Sequence, residues 1–167
     1  MSKSGEALFI VRDERETAAL AQKIAAKAHA GALLALDGDL GAGKTTFSQY
    51  FAKAIGVKEI VNSPTFTIIK EYDGADMPFY HMDVYRLSMD EADELGLDEY
   101  FFGNGVTIVE WASLIEELLP ENRLNIYIEH GGDGERRFRL TGIGEPYALW
   151  CAEWNGIGAG NDDSGKK

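Results

Sequence analysis

Ala32-Leu33-Leu34-Ala35-Leu36, then Gly38-Asp39-Leu40-Gly41-Ala42-Gly43-Lys44-Thr45-Thr46, then Phe47, Tyr50, Phe51, Ala54 and Ile55 at helical spacing: this stretch decides the fold. The short apolar run suits a strand buried on both faces. The apolar positions after the loop mark one side of an amphipathic helix. Between them, residues 38–45 satisfy G-x-x-x-x-G-K-[S/T], and the 19 glycines of the chain make a chance match only about a one per cent event. Glycines permit positive φ and close backbone approach, so successive N–H groups converge on an anion. A helix starting near Lys44 adds the positive end of its dipole and unpaired N–H groups. Lys44 supplies a mobile charge for β and γ phosphates, and the Thr45 hydroxyl is a ligand for Mg²⁺. A glycine-rich turn that bound nothing would need neither side chain.

A short strand over residues 7–11 precedes this unit, followed by Asp13 and Glu16 at capping-box spacing. Thr17, Leu20, Ala21, Ile24, Ala25 and Ala28 recur on one helical face, with Gly31 expected to end the helix. Strand-like segments follow at 65–72, 78–85, 106–110, 123–130 and 136–141. Ser88 and Glu91 predict a second capping box before an acidic helix at 89–95, and Pro146 opens a last helix carrying Trp150 and Trp154. Early strand–loop–helix units with later adjacent strands predict an α/β fold: a P-loop NTPase-like sandwich with a mixed, mainly parallel central sheet flanked by helices.

The 167 residues, 45% hydrophobic and 26% charged, fit one domain over 1–154. Residues 155–167 are a Gly-rich polar stretch read as a flexible tail. Sixteen basic against 28 acidic residues give a net charge of −12, the opposite of what a phosphate-backbone binder shows. Broad nucleic-acid binding is therefore not expected. Cys151 is the only cysteine, so no intrachain disulfide or thiolate zinc site forms. The apolar runs are too short for a membrane span, and residues 1–6 lack a signal-peptide pattern. A cytoplasmic setting is expected.

A P-loop protein needs an acid at the end of a neighbouring apolar strand. Two qualify. Val106-Thr107-Ile108-Val109-Glu110 is the more apolar strand and stops at its acid, which makes Glu110 the expected metal ligand. Phe79-Tyr80-His81-Met82-Asp83 offers Asp83 to orient or deprotonate a water molecule. His81 shares the strand face of Asp83, as its partner, a proton carrier or a core residue. Trp111 either stacks on a base or fills the sheet's end. Ser63-Pro64-Thr65-Phe66-Thr67 lies where phosphate-sensing loops occur, with Thr65 facing the γ-phosphate or metal, or is a plain polar loop with Phe66 in the core. Arg136, Arg137 and Arg139 are read as dressing a solvated strand, and Asp90, Glu91, Asp93, Glu94, Asp98 and Glu99 as a solvated helix face with its flank.

The P-loop through Thr46, residues 63–67, His81-Met82-Asp83-Val84-Tyr85-Arg86-Leu87 and Val109-Glu110-Trp111 occur in this order. Together they resemble the TsaE (YjeE) family of bacterial ATPases that support tRNA threonylcarbamoyladenosine synthesis. The resemblance spans roughly residues 6 to 142. It implies weak Mg-dependent ATP hydrolysis and action on a TsaB–TsaD protein complex, with ATP and Mg²⁺ as cofactors. Carried over by position, Gly41, Ala42, Gly43, Lys44, Thr45 and Thr46 hold phosphate, and Thr45 with Glu110 holds Mg²⁺. Asp83 assists hydrolysis and Thr65 belongs to a nucleotide-sensitive loop. Segments near Glu14, Thr17 and Trp111 border the adenine. Ala112 departs from the pattern, since many members place proline there. The alternative is a small-molecule P-loop kinase, which needs an acceptor pocket and an arginine-bearing lid. A regulatory GTPase would need an Asn-Lys-x-Asp motif, which no lysine here supplies.

Overall fold

The computed structural model describes residues 4–39, 41, 43–62 and 68–155. The expectations for Ala42, for Thr65 with its loop 63–67 and for residues 156–167 lie outside them. Among the described residues the chain runs β1 (Ser4–Val11), α1 (Glu14–Ala25), β2 (Leu33–Gly38), α2 (Lys44–Ala54), β3 (Ile69–Asp73) and β4 (Pro78–Asp83). It continues through α3 (Met89–Glu94), α4 (Asp98–Phe101), β5 (Val106–Glu110), a 3₁₀ segment (Ala112–Leu118), β6 (Arg123–His130), β7 (Arg136–Ile143) and α5 (Tyr147–Trp154).

The seven strands form one sheet in the order β1-β7-β6-β2-β5-β4-β3. Its centre, β6-β2-β5-β4, is parallel; on one side β7 runs antiparallel to β6 and β1 antiparallel to β7, and on the other β3 runs antiparallel to β4. The apolar run of β2 explains its central place. Leu34 and Leu36 enter one core with Phe47, Phe51 and Phe138, while Leu33 and Ala35 enter a second with Val109, Phe101 and Ile115. Helices α1, α2 and α5 cover the first face; α3, α4 and the 3₁₀ segment cover part of the second. No helix among the described residues is long and apolar enough to cross a membrane.

Local signals set the helix ends, with two corrections. The Asp13 carboxylate accepts from the Glu16 backbone N–H at 3.0 Å, but the Glu16 carboxylate accepts from the Arg12 N–H at 2.8 Å. Only half of the expected capping box therefore forms. Helix α1 stops at Ala25, and Gly31 instead sits at φ +88° in the turn into β2, its N–H donating to the Gly105 carbonyl. The Ser88–Glu91 box closes in both directions, as its spacing predicts. The strand expected to reach residue 85 ends at Asp83, whose carboxylate accepts from the Tyr85 N–H at 3.0 Å and turns the chain.

Candidate functional site

Strand register assembles the site. Leu36 of β2 pairs with Glu110 of β5, and Glu110 pairs with Asp83 of β4. The carboxyl ends of three parallel strands therefore lie side by side, with the loop after β2 leading into α2. Gly43 begins that helix at φ +115°, a conformation that a β-carbon would strain.

Glu110 is only 2% exposed, and it is surrounded by donors. His81 Nε2, on a fully buried side chain, lies 2.6 Å from Oε2. The Thr45 hydroxyl lies 3.2 Å from Oε1 and 3.4 Å from Oε2. Ser48 Oγ lies 3.2 Å from Oε2 and 3.0 Å from the Lys44 carbonyl. Hydrogen bonds from these groups offset the cost of burying a carboxylate.

Lys44 points its Nζ back along its own loop, donating to the carbonyls of Gly38 at 2.8 Å and Asp39 at 2.9 Å. The same ammonium sits 4.0 Å from the ring centroid of Trp111, a cation–π contact. Burial pushes the Lys44 ammonium below its usual pKa, while the carboxylates of Glu110, Asp37, Asp83 and Asp39 oppose that shift. Trp111 holds this place at φ +64°, packed against Tyr85 with centroids 4.6 Å apart. Asp37 accepts from the Ser113 N–H at 2.9 Å; burial raises its pKa, which that bond and Lys44 partly counter.

A cleft opens on the other side of the loop, lined by Glu14, Thr17, Gly43, Thr46, Arg136 and Phe138 among others. Glu14 and Thr17 thus meet the P-loop, and the Tyr50 hydroxyl donates to the Glu14 carboxylate at 2.7 Å. Trp111 does not line this cleft; it stands against Lys44. Two readings from sequence change, and two residues join the site. Of the alternatives for His81, full burial fits the core residue, and its hydrogen-bond partner is Glu110 rather than Asp83. Arg136 lines the cleft instead of dressing a solvated strand. Ser48 and Asp37 are added to the site. Ser48 was readable as a position three and four residues beyond Thr45 and Lys44 on one helix face. Arg139 fits its expected surface place, paired with Glu129 at 2.8 Å.

The donor set suits a hard cation: a hydroxyl on Thr45 and a carboxylate on Glu110 are oxygen ligands. Among the described residues no group of three or more His, Cys, Asp or Glu side chains converges to hold a metal. Mg²⁺ fits such a partial site, since it is commonly held by one or two carboxylates with substrate phosphates and water.

Fold and loop together define a P-loop NTPase-like α/β sandwich, its glycine turn at the carboxyl end of a central parallel strand. The family model described as threonylcarbamoyl adenosine biosynthesis protein TsaE matches residues 11–138, and the chain belongs to the TsaE family. It is 57% identical over 138 residues to the tRNA threonylcarbamoyladenosine biosynthesis protein TsaE of Bacillus subtilis (strain 168), covering 83% of this chain and 87% of that one. The protein of the same name from Treponema pallidum (strain Nichols) is 35% identical over 133 residues, 79% of this chain and 98% of that one. The crystal structure of Bacillus subtilis YdiB superposes with a TM-score of 0.79 at 49% identity, covering 93% of this chain and 96% of that one.

Proposed function

We propose that this chain binds ATP with Mg²⁺, hydrolyses it, and serves tRNA threonylcarbamoyladenosine formation in the cytoplasm by acting on a TsaB–TsaD complex. The observation that carries the nucleotide part is the Thr45–Glu110 contact at 3.2 Å beside Lys44, with Asp83 at the adjacent strand end. Family membership supports the tRNA-modification part.

In this reading the loop amides around Gly41, Ala42 and Gly43 and the first turn of α2 hold the phosphates. Lys44 exchanges its two carbonyl acceptors and the Trp111 ring for β- and γ-phosphate oxygens. Thr45 and Glu110 would hold Mg²⁺, which when bound would supply charge neutralisation at the phosphates. Asp83 orients the attacking water and accepts its proton. Thr46 stands with the phosphate-holding turn, Thr17 and Glu14 line the route for the base, and Thr65 senses the γ-phosphate. The exposed acidic side chains of Asp90, Glu91 and Glu94 on α3 dock on a basic surface of the partner.

The test is phosphate release from Mg-ATP by the purified chain, with and without TsaB–TsaD. Stimulation by the pair, abolished in Lys44→Ala and Glu110→Ala and lowered at least a hundredfold in Asp83→Ala, is expected. Phosphate appearing on a small hydroxyl acceptor, with no response to the pair, would establish the kinase reading instead. One feature opposes a kinase: Arg136, the arginine in the cleft, sits on a sheet strand rather than on a lid.

A further inference from the structure

The buried end of Glu110 carries more machinery than a metal ligand needs. Its Oε2 has two neighbours that never reach solvent, His81 Nε2 at 2.6 Å and Ser48 Oγ at 3.2 Å, both side chains 0% exposed. Its Oε1 is the oxygen without a buried partner of its own and the nearer of the two to the Thr45 hydroxyl, at 3.2 Å against 3.4 Å. We propose that His81 is a positioning residue, helped by Ser48: it engages Oε2 and fixes the carboxylate so that Oε1 is the oxygen left for Mg²⁺ beside Thr45. This rests on the reading of Glu110 as a cation ligand.

Proton accounting fixes the tautomer. His81 Nδ1 is buried with no hydrogen-bond partner among the described residues. A proton there would be an orphaned buried donor, and Nε2 would then face Oε2 lone pair to lone pair at 2.6 Å. The proton therefore sits on Nε2, and the imidazole is a committed donor. Packing keeps it so. Phe79 stacks on the ring at 5.9 Å and 18°, and the β4–β5 register pairs His81 with Ile108, two positions before Glu110 and so on the same face. A carboxylate free to spin would offer either oxygen to the cation; tying one oxygen to a fixed donor removes that freedom.

The experiment uses the full chain. Binding of a non-hydrolysable ATP analogue is measured by calorimetry over a Mg²⁺ series for wild type, His81→Leu, His81→Gln and His81→Asn. The ¹⁵N spectrum of the three histidines is recorded alongside. His81→Leu is expected to need about tenfold more Mg²⁺ for the same gain in affinity, with Mg-free binding unchanged because Lys44 and the loop set it. His81→Gln, which keeps an N–H near the position of Nε2, should restore most of that loss. The spectrum should show His81 protonated on Nε2. An unchanged Mg²⁺ requirement in His81→Leu, or a proton on Nδ1, overturns the proposal. If His81→Leu fails to fold, His81→Asn, which shortens the donor's reach to Oε2, decides by the same shift in Mg²⁺ requirement, an unchanged requirement overturning the proposal. A wild type that binds the analogue without any gain from Mg²⁺ removes the cation reading and the proposal with it, and the ¹⁵N spectrum still reports whether the His81–Glu110 donor geometry exists.

Discussion

Tyr147→Phe isolates a single hydrogen bond on which the P-loop strand depends. The Tyr147 hydroxyl, on α5, accepts from the backbone N–H of Leu33 at 3.0 Å, where β2 begins. Leu33 is 0% and Tyr147 3% exposed, so water cannot replace the lost oxygen without opening the core. Removing it strands a buried N–H, at a cost of about 1–3 kcal/mol with a midpoint of about 2 kcal/mol. For a chain of this length 1 kcal/mol moves Tm by about 2–4 °C, so a fall of about 4–8 °C is expected. Thermal unfolding followed by circular dichroism at pH 7 reads it, because burial has raised the phenol's pKa further from that pH. Amide exchange at Leu33 should quicken at the same time. Tyr127→Phe on β6, 42% exposed, is the control and should stay within about 0.5 kcal/mol. Equal shifts in the two variants would refute the reasoning. Nucleotide binding should survive in Tyr147→Phe, since the far end of β2 lies about 16 Å from its start.

Phe51→Ala removes a fully buried ring that meets Phe47 at 6.2 Å and Phe79 at 5.9 Å. A loss of about 4 kcal/mol is expected, seen as a Tm lower by about 8–16 °C, and a loss under about 2 kcal/mol would contradict the packing described. Gly38→Ala places a β-carbon 2.2 Å from the Ile128 carbonyl at φ +144°, so the β2–β6 pairing must move; its yield of folded protein should collapse. Gly96→Ala, at φ +68° with nothing within 4 Å, should cost only about 1 kcal/mol. Asp37→Asn tests linkage. Burial raises the folded pKa of Asp37 above 3.8, so the carboxyl stabilises the fold fully below its unfolded pKa and loses that contribution as pH rises through the folded value. The amide keeps an acceptor for Ser113 without the ionised charge. Its Tm should exceed that of wild type at pH 7, with the difference vanishing near pH 3, and a difference constant across pH would exclude the linkage.

What could be read in the sequence was what local chemistry dictates. The β2–loop–α2 unit and the Ser88–Glu91 cap both rest on residues within one turn or one strand of each other. The ending of α1 was misplaced because Gly31 has a different task, the left-handed turn into β2. Helix α4 and the 3₁₀ segment escaped because segments of 4 and 7 residues have too little periodicity to announce themselves, and tertiary packing makes them. The partners of Glu110 were hidden for another reason: Ser48 and His81 stand 62 and 29 residues away from it along the chain. Arg136 reads as an alternating strand residue, and only the sheet order brings the start of β7 beside Gly43.

The two strand-end acids show where linear reading reaches its useful limit. Register sets Asp83 and Glu110 level with each other, on one face of adjacent parallel strands, so position along the strand cannot separate them. Depth in the sheet does. β5 lies between β2 and β4, and every residue of it is buried, whereas β4 has only the antiparallel β3 outside it and Asp83 stays half-buried. Helix α2 packs over β2 and β5, so the side chain that ends β5 falls beneath Thr45 and Ser48, while the one that ends β4 bends into the Tyr85 turn. An unbroken apolar run is the mark of a strand covered on both faces, and cover by α2 is what places a carboxylate against the P-loop threonine. The greater apolarity of Val106-Thr107-Ile108-Val109 is thus a physical reason, and not a coincidence, that Glu110 stands buried against Thr45 while Asp83 stays half-buried at the turn.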